Sequence, residues 1–185
     1  MKYKIMNQYY THQKYLIEVL NSLDYTKKVK ILEFGSGEGS SSIFNEYAKK
    51  ENVEIQCFEH DSSWMNEMES KYSLKNYTFN QVDWENFDYT DLKKHKYELI
   101  FVDQGDWDAR INTIDELRNN SKYIILHDYC YYNGFRGYSI PESDKEWALS
   151  IDKNSFFYEK YSNDFELISE HSLFPPTLIM KNKNL

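Results

Sequence analysis

Cysteine, proline and glycine are all scarce in this chain of 185 residues, which has two, three and six of them. Cys57 and Cys130 lie far apart without metal-like spacing, so neither a disulfide framework nor a cysteine-rich zinc site is expected, and the compartment reads as reducing and cytoplasmic. There is one Pro pair, Pro175-Pro176, close to the C-terminus, and no low-complexity tract, so the chain offers no linker. No run approaches the ~20 apolar residues that span a bilayer. The opening Met1-Lys2-Tyr3-Lys4 leads into Tyr, Gln and His, so neither a leader nor a membrane partner is expected. Positive charge is also short. With 22 Lys and Arg against 30 Asp and Glu, the net charge of −8 leaves little field to hold a phosphate backbone, and no nucleic-acid partner is expected. Length and the lack of repeats predict a single domain over 1–185.

What is present alternates between strand and helix patterns. An N-terminal helical segment over 1–28 carries its stripe at Tyr15, Leu16, Val19, Leu20 and Leu23, with Thr11 as the expected cap. Strands are predicted over 29–34, 53–58, 77–82, 99–102 and 123–126. Helices are predicted over 40–50, 64–72 and 108–119. Residues 85–98 are polar and without clear pattern. Residues 129–155 read as a Tyr- and Gly-rich loop followed by a helix that Pro141 opens. Residues 165–168 and 177–180 read as a terminal hairpin. The order implies an α/β, Rossmann-like, mostly parallel seven-stranded sheet with a C-terminal antiparallel hairpin and helices on both faces. In such sheets ligands bind outside the carboxyl ends of the strands.

The loop after the first strand reads Glu33-Phe34-Gly35-Ser36-Gly37-Glu38-Gly39, followed by Ser40-Ser41-Ser42. Glycines at alternate positions permit a tight turn and a close ligand, and the helix N-terminus behind them offers free N–H donors. The spacing is not the G-x-G-x-x-G of dinucleotide folds, since Ser40 stands at the third position, and this disfavours a nicotinamide enzyme. The motif resembles that of the class I S-adenosylmethionine (SAM) dependent methyltransferases, an acidic residue followed by x-G-x-G-x-G. That resemblance implies SAM as cofactor, with Glu33, Gly35, Ser36, Gly37, Gly39 and Ser40 around it. Glu59, with His60 beside it, ends the second strand where an acidic residue grips a ribose diol. It also implies Asp83 near the adenine, Trp84 and Trp64 against the ring, and Asp103 as a further contact. The Pro-Gly-Gly-like turn usual before the fifth strand is replaced by Asn119-Asn120-Ser121-Lys122.

A sulfonium methyl is already electrophilic, so the enzyme must align its acceptor and, for a hydroxyl, remove the proton. Asp103-Gln104-Gly105-Asp106 and His127-Asp128-Tyr129 end two neighbouring strands, giving Asp103, Asp106, His127 and Asp128 as the catalytic candidates, with Asp106 or His127 as base. The pattern resembles the methyltransferases acting on hydroxyls of sugars and small molecules, some of which hold a metal between carboxylates. That implies Asp103 and Asp128 as ligands for Mg²⁺ or another divalent cation. His12, Tyr129, Tyr132 and Arg136 are expected against the acceptor, a carbohydrate or related small molecule. The motif Asp/Asn-Pro-Pro of amino-directed nucleic-acid enzymes is missing after the fourth strand. The competing reading is a catalytically silent partner subunit of the same fold; oligomeric state is not legible.

Overall fold

Apolar residues that alternate along each strand sort to two sides of one sheet. A computed structural model describes residues 10–129, 156–170 and 175–185. Its elements are α1 (Gln13–Asn21), β1 (Val29–Phe34), α2 (Glu38–Ala48), β2 (Val53–Glu59), α3 (Ser62–Tyr72), β3 (Tyr77–Gln81), β4 (Tyr97–Val102), α4 (Trp107–Leu117), β5 (Ser121–His127), α5 (Phe156–Tyr161), β6 (Phe165–Glu170) and β7 (Thr177–Asn182). The sheet runs β3-β2-β1-β4-β5-β7-β6. All pairings are parallel except those of β7, which runs against both β5 and β6. This is the expected seven-stranded fold with its terminal hairpin. Tyr132, Arg136, Cys130 and the helix expected from Pro141 lie outside the described residues.

Ile31 on β1 joins Leu16 and Leu20 of α1, Ile43 and Phe44 of α2 and Met68 of α3 on one face. Its neighbours Leu32 and Phe34 join Ile111, Ile114 and Leu117 of α4 and Phe157 and Tyr161 of α5 on the other. Each such side chain taken from water contributes about 1.5–3 kcal/mol, so both layers hold the sheet flat against its helices. No helix among the described residues is long and apolar enough to cross a membrane.

Register decides what the sheet presents at its carboxyl edge. Phe34 pairs with Phe58 and with Val102, and Val102 pairs with Leu126. The residues that follow, Gly35, Glu59, Asp103 and His127, therefore emerge in one row.

Three local expectations change. Helix α2 starts at Glu38, two residues early, because Gly37 in extended backbone serves as its cap. Thr11 does not cap α1; His12 stands at that position without a side-chain bond, since the Thr11 hydroxyl is donated to the Pro175 carbonyl at 2.7 Å. The patternless 85–98 stretch is met by one single 3₁₀ turn at its start, Trp84–Asn86, and holds a second, Leu92–Lys94. The second of these explains the missing Pro-Gly-Gly turn: Asn120 donates through Nδ2 to the Lys93 and His95 carbonyls, both at 2.8 Å, and so fixes the entry into β5.

Candidate active site

The three loop glycines serve three different purposes. Gly35 has φ +86°, and a Cβ there would come within 3.0 Å of the Asp103–Gln104 peptide, so only glycine lets the loops after β1 and β4 touch. Gly39 is pressed by the N-terminal segment: an added Cβ would lie 2.7 Å from Tyr10 Cδ1 and 3.0 Å from His12 Cε1. Only Gly37 faces open space, with nothing nearer to an added Cβ than Ser40 Oγ at 4.0 Å.

Glu33 lies inside the fold rather than on a cavity wall. Ser40 and Ser41 donate their hydroxyls to its Oε1 at 2.6 and 3.0 Å, and Tyr77 donates to Oε2. Burial pushes the Glu33 carboxyl up to about 7, against those hydroxyls, which favour the anion. Glu33 and Ser40 thus shape the loop from beneath. Glu59 grips the loop from its rim: it accepts from the Ser36 amide (2.9 Å) and hydroxyl (3.2 Å) on Oε2, and from the His60 and Asp61 amides (2.8 and 3.0 Å) on Oε1.

The ends of β4 and β5 are tied by a residue that the sequence reading passed over. Arg110 of α4 is buried and donates to the Gln104 carbonyl, to the His127 carbonyl at 2.7 Å and to Asp103 Oδ1 at 3.1 Å. Asp103 Oδ2 faces His127 Nδ1 at 3.2 Å. His127 Nε2 lies 3.1 Å from Thr11 Oγ1 and 3.1 Å from Asp128 Oδ1. Because the Thr11 proton is already given to Pro175, Nε2 must be the donor toward Thr11. Burial works against the His127 cation, but Asp103 and Asp128 outweigh it and raise its pKa above the ordinary value. Burial raises Asp103 too, and the His127 and Arg110 charges override it, bringing Asp103 down to about 2. Asp128 is raised by burial and by the Asp103 charge. Its backbone stands at φ +58°, a left-handed conformation unusual for a side-chain-bearing residue and common at functional sites.

A cavity of about 420 Å³ brings His12, Gly37, Gly39, Ser40, Trp64, Asp103, His127 and Asp128 together, with Tyr10 and Glu38 at its wall. A second, wider groove of about 780 Å³ gathers His60, Asp83, Trp84 and Asp106 over the ends of β3 and β4. Several expectations are corrected by this division. Asp106 lines the groove instead of the His127 cavity, because its carboxylate accepts from the Ala109 amide at 2.8 Å and caps α4. Trp64 lines the cavity and not the Trp84 groove, held by its Nε1 donation to the Ser36 carbonyl at 2.7 Å. Tyr129 is buried, with its ring edge-on to Phe157 at 6.1 Å between centroids, and does not line the cavity. His127, expected as a free base, has both ring nitrogens against oxygen partners.

Thr11, Arg110 and Gln104, whose Nε2 donates to Thr113 Oγ1 at 3.1 Å, complete the site without a motif of their own. The one signal in sequence was an arginine inside the apolar stripe Ala109, Ile111, Ile114 and Leu117.

No family model and no curated protein matches the chain. Solved structures do. The N-terminal domain of EvdMO1 with S-adenosylhomocysteine (SAH) bound is 17% identical, with TM-score 0.59 over 93% of this chain and 80% of that one. A candidate O-methyltransferase from Klebsiella pneumoniae is 13% identical, with TM-score 0.61 over 98% and 83%. Human methyltransferase-like protein 13 in complex with SAH is 15% identical, with TM-score 0.58 over 92% and 82%. At these identities the likeness is one of fold: the chain has the fold of the class I SAM-dependent methyltransferases.

Proposed function

We propose that the chain binds SAM and transfers its methyl group to a hydroxyl of a sugar or related small molecule. The observation that carries this reading is the row Gly35, Glu59, Asp103 and His127 at one sheet edge, with a groove on one side and a cavity on the other. Adenosine suits the groove of Asp83 and Trp84, and the ribose hydroxyls would take the place of the Ser36 hydroxyl on Glu59. The methionine part then passes the open side of Gly37 toward the cavity. Two structural neighbours hold SAH, and the EvdMO1 domain was also crystallised in the presence of SAH and D-fucose, which supports a sugar-like acceptor.

In the reaction an acceptor oxygen lone pair forms the new O–CH₃ bond as the S–CH₃ bond breaks. The electron pair goes to sulfur, which loses its positive charge, and the hydroxyl proton leaves. Asp128 is the group suited to take that proton. Its Oδ1 is buried in the cavity wall, 3.1 Å from His127 Nε2, and its carboxyl is held above the usual range. Asp103, held near 2, is far weaker as a base, and the His127 ring is engaged by both carboxylates, Nδ1 with Asp103 and Nε2 with Asp128. A hard Mg²⁺ between Asp103 and Asp128 does not fit this arrangement. Arg110 occupies one oxygen of Asp103, and the His127 ring lies against both carboxylates.

Calorimetry with SAM and SAH, joined to a mass scan of a sugar and metabolite library, tests the reading. Heat with both ligands and a gain of about one methylene on an acceptor are expected. Glu59→Ala should weaken SAH by on the order of 1–3 kcal/mol. Asp128→Asn should lower kcat by on the order of 10²–10⁴ with SAH affinity kept. No heat with either ligand would end the proposal, and SAH binding without turnover on any acceptor would favour the silent partner subunit.

A further inference from the structure

We propose that His12, Asp103 and His127 form a site for one first-row transition-metal ion of the Zn²⁺, Co²⁺ or Ni²⁺ class. Their candidate ligand atoms lie within 4.8 Å of one another, drawn from three separate parts of the chain. His12 is the decisive member. It is 2% exposed, it lines the cavity, and neither of its ring nitrogens has a hydrogen-bond partner among the described residues. A buried polar atom left unpaired is costly, so a ring nitrogen shut away from water in this position calls for a partner small enough to reach it, and one ion reaches one of the two. A bulky acceptor does not meet that requirement, whereas a bare ion does.

The other two ligands are already aimed. Thr11 keeps the His127 proton on Nε2, so Nδ1 alone is free to exchange its proton for a metal. Arg110 holds Asp103 by Oδ1 and leaves Oδ2 facing that same Nδ1 at 3.2 Å. Two neighbouring ligands each about 2.1 Å from one ion stand about 3 Å apart, so an ion fits where the proton now lies. Outer partners that fix a tautomer and a carboxylate in this way are the usual support of histidine metal sites. Two imidazoles and one carboxylate are donors of intermediate softness, which select late first-row ions over Mg²⁺. The site does not depend on which acceptor the chain methylates.

The test uses the tag-free chain, stripped with a chelator and titrated with Co²⁺ while its visible d–d absorption and equilibrium dialysis are followed. One equivalent should bind, Zn²⁺ should displace it, and millimolar Mg²⁺ should not. His12→Phe keeps an aromatic ring beside Phe101, which lies tilted to His12 at 4.9 Å between centroids, and should lose Co²⁺ by more than about 100-fold, as should Asp103→Asn. Thr11→Val, which leaves all three ligands in place but removes the outer partner of His127 and its bond to Pro175, should lose about 10–100-fold. Circular dichroism melts establish that each variant folds; should His12→Phe fail to, the Asp103 and Thr11 variants decide. Wild-type protein that binds SAH but takes up no stoichiometric Co²⁺ or Zn²⁺ overturns the metal site and leaves the methyl-transfer reading intact. Unchanged Co²⁺ affinity in the folded variants overturns it equally.

Discussion

A methyl group added at Gly39 would meet Tyr10 and His12, whereas one added at Gly37 would meet nothing within contact distance. Gly39→Ala should therefore cost about 1–3 kcal/mol in urea unfolding through overpacking, and Gly37→Ala about 1 kcal/mol or less through the weaker cap. Equal losses would mean that the N-terminal segment does not rest on the loop. Glu33 gives a second residue-scale test. Its carboxyl binds a proton more tightly in the folded chain than in the unfolded one, so the stability it contributes is complete below its ordinary value of 4.5 and is lost as pH rises through about 7. Melts at about pH 5 and pH 8 should show the wild type losing on the order of 1–3 kcal/mol, and Glu33→Gln losing less. His127, also raised, adds a loss of the same sign that the Gln variant retains. At this scale sequence reading recovered residue types and missed reasons. The glycine spacing was plain, but Gly39 answers to Tyr10 and His12, which no local pattern connects to it. Thr11 was legible only as a cap, because the partners that claim its hydroxyl, His127 and Pro175, stand far along the chain.

Helix α4 acts as a clamp as well as a packing element. Its apolar face covers the sheet through Ile111, Ile114 and Leu117, and from the same helix Arg110 reaches the loop after β4 and the end of β5. Arg110→Met keeps the stem packing but leaves the buried side of Asp103 without its guanidinium, and urea unfolding should show a loss of about 3–5 kcal/mol. A loss below about 1 kcal/mol would mean that Asp103 is held by His127 alone. Strands and helices were the most legible part of the chain, since period and punctuation are local. Starts and caps were less so: α2 begins before its serines because the extended Gly37 precedes it, and β5 begins at Ser121 because Asn120 is anchored to the Leu92–Lys94 turn. Residues 85–98 escaped any periodic reading because single 3₁₀ turns have no period to display.

The whole molecule brings its site together from places far apart in the chain, so ligand binding and global stability are linked. SAH at about 100 times its dissociation constant should add about 2.7 kcal/mol, read as a rise in melting temperature that shrinks in Glu59→Ala at the same SAH concentration. A ligand-independent melt would contradict binding at the edge of the sheet. The overall topology was legible because alternating strands and helices allow few arrangements, whereas the pairing of Asp103 with Arg110 and the seat of His12 depend on tertiary geometry that only the assembled sheet creates. One detail of that sheet bears on time rather than shape. β7 follows β6 in the chain but lies between β6 and β5. Until β7 arrives, β5 has a bare edge and β6 has no neighbour to join, and Pro175, just ahead of β7, is not yet in place to receive the Thr11 hydroxyl. Refolding followed by pulsed hydrogen exchange should show amides of β1, β2 and β4 protected before those of β6 and β7. Maturation of the His127 side of the site would then be the last event of folding, and a chain whose final hairpin is still unpaired would lack the Pro175 contact that sets Thr11 against His127.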